Sequence, residues 1–179
     1  MTNKLETAVF GGGCFWCTEA IFLKVRGVNS VVSGYAGGKV EKPSYERVSM
    51  GTTGHAEVIK IEFDPTVISY EELLDIFWHV HDPTTLNRQG ADVGTQYRSI
   101  ILYTTEEQRR TAEKSLSNMN ESGEFSKPII TEIKPLEHFY DAESYHQNYF
   151  ENNSLNPYCQ VVIAPKLSHF LEKYAKKVK

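Results

Sequence analysis

The stretch Thr7-Ala8-Val9-Phe10-Gly11-Gly12-Gly13-Cys14-Phe15-Trp16-Cys17 runs from a short apolar segment through three glycines to two thiols and two large aromatics. Residues 7–10 predict a strand, and residues 19–25 carry Ala20, Ile21 and Val25 at helical spacing, so the order is strand, glycine loop, helix. Glycine lets the backbone turn sharply and approach a ligand closely, and a helix N-terminus offers free N–H groups and a positive dipole end. A thiol there is expected to ionise more easily than free cysteine, whose pKa is about 8.5. Cys14 is the candidate nucleophile.

Working outward, residues 28–35 predict a strand ending at Gly34, Gly37 and Gly38, and a loop with Pro43, Ser44 and Tyr45 leads to a second strand over 55–63. Ala56, Val58, Ile61 and Phe63 do not share one parity, which suggests an irregularity. Ser69 caps a helix with Glu71 and Glu72 in its first turn and Leu73, Leu74, Ile76, Phe77 and Val80 on its apolar face, ending near Asp82-Pro83. A polar loop precedes a strand over 97–103, and Thr105 opens a charged helix that runs to about Asn120 and stops at Gly123. Further on, 129–133 reads as a strand, 142–150 as a short helix, 159–163 as a final strand and 167–178 as a terminal helix. Interspersed strands and helices without repeat or linker predict one domain over 1–179. Its expected class is α+β, a two-layer sandwich around a mixed β-sheet with a ferredoxin-like core.

The chain has 179 residues, 40% hydrophobic and 23% charged, with a net charge of −4, which argues against a general nucleic-acid or anionic-membrane binder. The closing lysines, Lys173, Lys176, Lys177 and Lys179, read as a solvated helix face. No segment is long and apolar enough to span a membrane, and the N-terminus has no basic region followed by an apolar one. Three cysteines, Cys14, Cys17 and Cys159, are too few and odd in number for a secreted disulfide framework, so the expectation is a cytoplasmic protein with reduced thiols.

Cys14 and Cys17 admit three readings. A zinc site would need Cys159 and a histidine as well, with no second close pair of ligands in the sequence. A thioredoxin-like dithiol fits a cysteine at a helix start with another one turn on. The third reading has Cys17 facing inward as a small apolar side chain. Phe15 and Trp16 are either core or an apolar wall for a small group such as a methyl. Glu57 either points outward from its strand or sits in a pocket where its carboxyl stays protonated and donates; the residue pattern favours outward. His79, His81, His138 and His169 receive no function, and His146, crowded by tyrosines, reads as a hydrogen-bonded structural residue.

Taken in order, Gly12-Gly13-Cys14-Phe15-Trp16, Ser33-Gly34-Tyr35-Ala36-Gly37-Gly38, Gly54-His55-Ala56-Glu57-Val58, Asp82-Pro83-Thr84, Gly94-Thr95-Gln96-Tyr97-Arg98-Ser99 and Tyr145-His146-Gln147 closely resemble the A-type peptide methionine sulfoxide reductases over about residues 5–165. The resemblance implies that Cys14 attacks the sulfur of methionine S-sulfoxide, free or in proteins, and becomes a sulfenic acid. It implies Glu57 as proton donor, Tyr45 and Tyr97 as hydrogen-bond donors to the sulfoxide oxygen, Asp92 as an orienting group, and Phe15 and Trp16 as the methyl pocket. Cys159 resembles the resolving cysteine, with Cys17 as the alternative, although Val161-Val162-Ile163 stands where a glycine-rich tail is usual. The implied partners are oxidised proteins and thioredoxin or another dithiol as reductant, with no bound cofactor or metal and a monomeric enzyme.

Overall fold

The computed structural model describes residues 4–179. Its main sheet has six strands: β1 (Glu6–Gly11), β2 (Val28–Ala36), β3 (Ala56–Phe63), β6 (Ile100–Tyr103), β7 (Glu132–Pro135) and β8 (Phe139–Asp141). They lie in the order β7-β6-β1-β3-β2-β8. β1 is central and antiparallel to both β3 and β6, pairing Ala8 with Ile61 and Phe10 with Ile101. β7 runs parallel to β6, so the sheet is mixed and the class is α+β. A two-stranded hairpin, β4 (Arg88–Gln89) and β5 (Asp92–Val93), stands apart from it.

Both faces of the centre of the sheet are buried, which resolves the irregular parity of the third strand. Ile59, Ile61 and Phe63 of β3 point into the larger core with Phe10, under α1 (Phe15–Phe22) and α3 (Tyr70–His79). Ala56 and Val58 point the other way, into a smaller core with Val9, Ile100 and Leu102 that Leu136 and Phe139 cover. No bulge is needed in β3; the irregularity falls in β2, between Val28 and Ser30.

Local signals position the helices. Ser69 and Glu72 form a reciprocal capping box at α3, with N–H to oxygen distances of 3.1 and 2.8 Å. α4 (Glu106–Ser122) is capped by Thr105 and ends at Gly123 in the left-handed conformation, φ 73°.

The C-terminal part departs from expectation. Residues 159–163 are no strand but a π-helical turn, Cys159–Ile163, that runs into α6 (Ala164–Lys173). Gln160 and Val161 face solvent, while Cys159, Ile163, Leu167, Phe170 and Tyr174 are buried, a helical spacing that the β-branched composition masks. The last helix thus begins before residue 167 and stops at Lys173; a 3-10 turn over Ala175–Lys177 follows, and Val178 bridges back to Val25. Residues 142–150 likewise form no continuous helix. A 3-10 turn, Ser144–His146, is separated from the short α5 (Tyr149–Asn152) by Asn148 in a left-handed conformation.

Candidate active site

The site lies where β1 ends and β3 begins. The glycine loop delivers Cys14 to the cap position of α1, with φ −62° and ψ 126°. Two glycines are required there. Gly13 has φ +88°, and a Cβ on it would fall 2.8 Å from the Gln89 side chain; a Cβ on Gly12 would fall 2.9 Å from the His81 ring. That ring is fixed from behind. His81 Nδ1 lies 2.6 Å from the Phe77 carbonyl and Nε2 2.7 Å from the Ser99 hydroxyl, and burial lowers its pKa to about 4, so it stays neutral. Gln89 accepts the Asp82 N–H at 2.9 Å and donates to the Asp82 carbonyl, which seats the β4–β5 hairpin, and Asp92 with it, beside the loop.

Glu57 is only 1% exposed, contrary to the outward reading. It shares the parity of Ile59, Ile61 and Phe63, so the alternation of the strand turns it under α1, where it accepts the Phe15 N–H at 3.2 Å. Burial raises its pKa to about 8, with Asp92 adding to the shift and the Phe15 N–H opposing it. The carboxyl is therefore protonated at neutral pH and able to donate.

Cys14 also departs from expectation. Burial raises its pKa well above the ordinary thiol value, and its hydrogen bond with Cys17 and the nearby Glu57 push the same way. The free N–H groups of the helix do not overcome this. Cys14 occupies the cap and Cys17 the third helical position, one turn on. The hydrogen bond between them brings the two thiols together at the start of α1, and the same bond lowers the pKa of Cys17. Cys159, fully buried, completes an apolar cluster with Cys14, Cys17, Ala20 and Ile163.

Tyr45, the first residue of α2 (Tyr45–Ser49), and Tyr97, at the end of the 3-10 turn Thr95–Tyr97, flank this pair. Burial raises both phenols, and Glu57 and Cys14 raise them further, so both remain protonated hydrogen-bond donors near the thiol and the carboxyl. Asp92 accepts the Tyr158 hydroxyl at 2.7 Å, and that oxygen lies 3.9 Å from Cys17 Sγ. Phe15 is fully buried in the main core, its ring 5.7 Å from Tyr35 and 5.1 Å from His146. Trp16 stands at the mouth: its N–H donates to His146 Nδ1 at 2.9 Å, and its ring stacks on Tyr149 at 3.7 Å and 4°.

The fold thus brings Cys14, Cys17, Tyr45, Glu57, Asp92, Tyr97, Cys159 and the Phe15–Trp16 pair to one place. Sequence reasoning missed Tyr158, Tyr149 and Glu143. Glu143 accepts the Tyr35 hydroxyl at 2.9 Å and the Tyr45 N–H at 3.0 Å; burial works to raise its pKa, but these and other polar contacts outweigh it and hold it low. Only the adjacency of Tyr158 to Cys159 hinted at any of the three. Among the described residues no group of three or more His, Cys, Asp or Glu side chains is arranged to hold a metal ion.

A buried thiol beside a protonated carboxyl, with further thiols within reach, defines a thiol-dependent oxidoreductase on an α+β fold. Residues 6–179 match the peptide methionine sulfoxide reductase family model, and the chain belongs to that family. Over 168 residues it is 58% identical to the peptide methionine sulfoxide reductase MsrA of Nautilia profundicola, covering 94% of this chain and 95% of that one. Over 175 residues it is 54% identical to the MsrA of Saccharolobus solfataricus, covering 98% of each. Among solved structures, methionine sulfoxide reductase A of Corynebacterium diphtheriae superposes with a TM-score of 0.82 at 34% identity, covering 87% of this chain and 78% of that one. The reduced form of Mxr1 from Saccharomyces cerevisiae gives 0.79 at 36%, covering 87% and 90%. The chain is an enzyme that reduces methionine sulfoxide in oxidised proteins.

Proposed function

We propose that Cys14 and Glu57 carry this reduction, that the S epimer of the sulfoxide is the substrate, and that Cys17 and Cys159 complete the thiol cycle. The observation that carries the reading is the juxtaposition of the buried Cys14 thiol with the buried Glu57 carboxyl, which accepts the N–H of the residue next to Cys14. The sulfoxide oxygen binds among Glu57, Tyr45 and Tyr97, and its sulfur faces Cys14, with the methyl group against Phe15 and Trp16. Cys14 sulfur attacks the sulfoxide sulfur while Glu57 protonates the oxygen. The sulfoxide is reduced by two electrons to the thioether, and Cys14 is oxidised to a sulfenic acid that carries the oxygen. Asp92, through Tyr158, orients the far side of the pocket.

A second thiol then expels water from the sulfenic acid to form a disulfide. The cap geometry supports Cys17 as this partner. Cys159, the partner implied by the resemblance, shares the same cluster; its thiol attacks the Cys17 sulfur of the Cys14–Cys17 disulfide, forming a Cys17–Cys159 disulfide and releasing Cys14 as a thiol. Thioredoxin or another dithiol returns the enzyme to its starting state.

The core β1-α1-β2-β3-α3-β6, with sheet order β6-β1-β3-β2, supports reading the centre of the chain as ferredoxin-like, and the continuous sheet supports one catalytic domain over 1–179. No helix among the described residues is long and apolar enough to cross a membrane, and reduced thiols suit the cytoplasm.

Incubation with separated sulfoxide epimers and a dithiol tests the reading. Consumption of the S form alone, abolished by Cys14→Ser, is expected; turnover of the R form alone, or activity surviving that substitution, overturns it.

A further inference from the structure

α1 carries a buried carboxylate that the reaction does not use. Glu19 is 2% exposed and lies three residues after Trp16, on the same side of the helix. Its Oε1 accepts the Asn148 N–H at 2.6 Å, and the carboxylate also takes the Tyr149 N–H. These donors open α5, and no side chain of that segment caps them. Asn148 holds φ 52°, a left-handed backbone that asparagine tolerates better than most residues, and the Glu19 bond is made to its N–H.

The segment gripped in this way is the one that holds Trp16. His146 accepts the indole N–H, and Tyr149 stacks on the indole face. Between them, Gln147 is pinned to β2, accepting the Ser33 N–H at 3.0 Å and donating to the Ser33 carbonyl at 2.9 Å. Residues 146–149 therefore have two anchors of their own, the Gln147–Ser33 pair and Glu19, and both bear on the indole.

We propose that Glu19 is a positioning residue that fixes residues 146–149 against the Trp16 indole and thereby sets the size of the S-alkyl group the pocket accepts. This rests on the reading of Trp16 as the wall of the methyl pocket. Without the carboxylate, the Asn148 and Tyr149 N–H groups lose their acceptor, Tyr149 leaves the indole, and the wall gives way to larger groups.

The test compares Glu19→Ala, Glu19→Asp and Glu19→Gln with the parent, using kcat/KM for methionine S-sulfoxide and for ethionine S-sulfoxide, one methylene larger, together with tryptophan emission. Trp78, buried with its N–H on Ser115 at 2.8 Å, supplies a constant background to the Trp16 signal. Glu19→Ala is expected to narrow the methyl-over-ethyl preference at least fivefold and shift emission to the red by several nanometres. Glu19→Asp, whose shorter arm withdraws the acceptor, is expected to do the same with the carboxyl kept, and Glu19→Gln, which still accepts, to restore most of both. Unchanged preference and emission in folded Ala or Asp variants, or an equal loss on both substrates with unshifted emission, overturns the proposal. An emission shift without a change in preference overturns the role in selectivity. Trp16→Ala checks the underlying reading separately: if it leaves the preference intact, Trp16 is not the wall, whatever the emission of the Glu19 variants.

Discussion

Replacing Glu57 with Gln removes a titrating proton while keeping the side-chain volume and one donor, and its largest effect is on stability against pH. Burial lifts this carboxyl from an ordinary 4.5 to about 8. At about 1.4 kcal/mol for each tenfold change in proton affinity, the gap corresponds to about 5 kcal/mol. Because the folded-state value is the raised one, the folded protein keeps a proton that the unfolded chain releases. The contribution is present in full below pH 4.5, declines as pH rises, and is lost once pH passes about 8. Gln has no such slope. Denaturant unfolding of both proteins at several pH values across that window, with the difference taken so that other groups cancel, should show the Gln variant gaining on the parent by several kcal/mol toward high pH. Parallel stability curves would refute the buried, protonated state. Activity gives a second reading of the same proton. The parent's kcat/KM should fall above about pH 8, and Glu57→Gln should lose that limb with a drop of about 10²–10⁴-fold, the usual contribution of a general acid. Glu57→Ala should be slower still, because the amide continues to donate to the sulfoxide oxygen. Equal rates for Gln and Ala would deny Glu57 the donor role.

In Gly12→Ala the new methyl meets the His81 ring at 2.9 Å, and that ring cannot yield because it is held by Phe77 and Ser99. A loss of about 1–3 kcal/mol in denaturant midpoint is expected, and the penalty should shrink in a His81→Ala background. One turnover without reductant, followed by mass mapping, should give a Cys14–Cys17 disulfide in Cys159→Ser, and in the parent a disulfide shifted to Cys17–Cys159. A Cys14–Cys159 bond in both the parent and Cys17→Ser would remove Cys17 from the cycle. Tyr158→Phe breaks the 2.7 Å bond to Asp92 and should cost about 1 kcal/mol of stability; an unchanged midpoint would mean the hydroxyl is not holding the hairpin.

What the sequence discloses follows the range of the interactions involved. The strand, loop and helix around Cys14, the Ser69 cap and the Gly123 stop are written in neighbouring residues, and the structure contains each of them. Glu57 was legible too: Ile59, Ile61 and Phe63 share its parity, and the ambiguity arose only because a strand with two buried faces carries apolar residues in both phases. The turn at Cys159 was misread because Val161, Val162 and Ile163 favour strands by composition, whereas burial at 159, 163, 167, 170 and 174 is helical. Glu19 and Glu143 gave no local signal, since their partners lie 129 and about 100 residues away in the chain. A carboxylate that caps a distant backbone looks, in sequence, like any other helix glutamate.

At Cys14 burial outweighs the helix N-terminus, and the difference in magnitude bears on mechanism. A helix end stabilises a nearby charge by about 0.3–1 kcal/mol when exposed, while full burial shifts a thiol by up to about 3–5 pKa units, several times as much. Cys14 is 9% exposed, so burial wins and the thiol is neutral at rest. Glu57 is neutral for the same reason, so neither of the two reacting groups is charged at rest. In the mechanism we propose, the sulfoxide's positive sulfur meets Cys14 while its negative oxygen meets Glu57, Tyr45 and Tyr97. On that mechanism thiolate formation is tied to substrate, which keeps the resting thiol from reacting with other electrophiles. In Cys17→Ser, carbamidomethylation of Cys14 by iodoacetamide, followed by mass spectrometry, should be slower at pH 7.5 than that of free cysteine, with the rate still rising above pH 9. A rate already at its plateau near pH 7 would mean a standing thiolate and refute the burial-dominated state of Cys14.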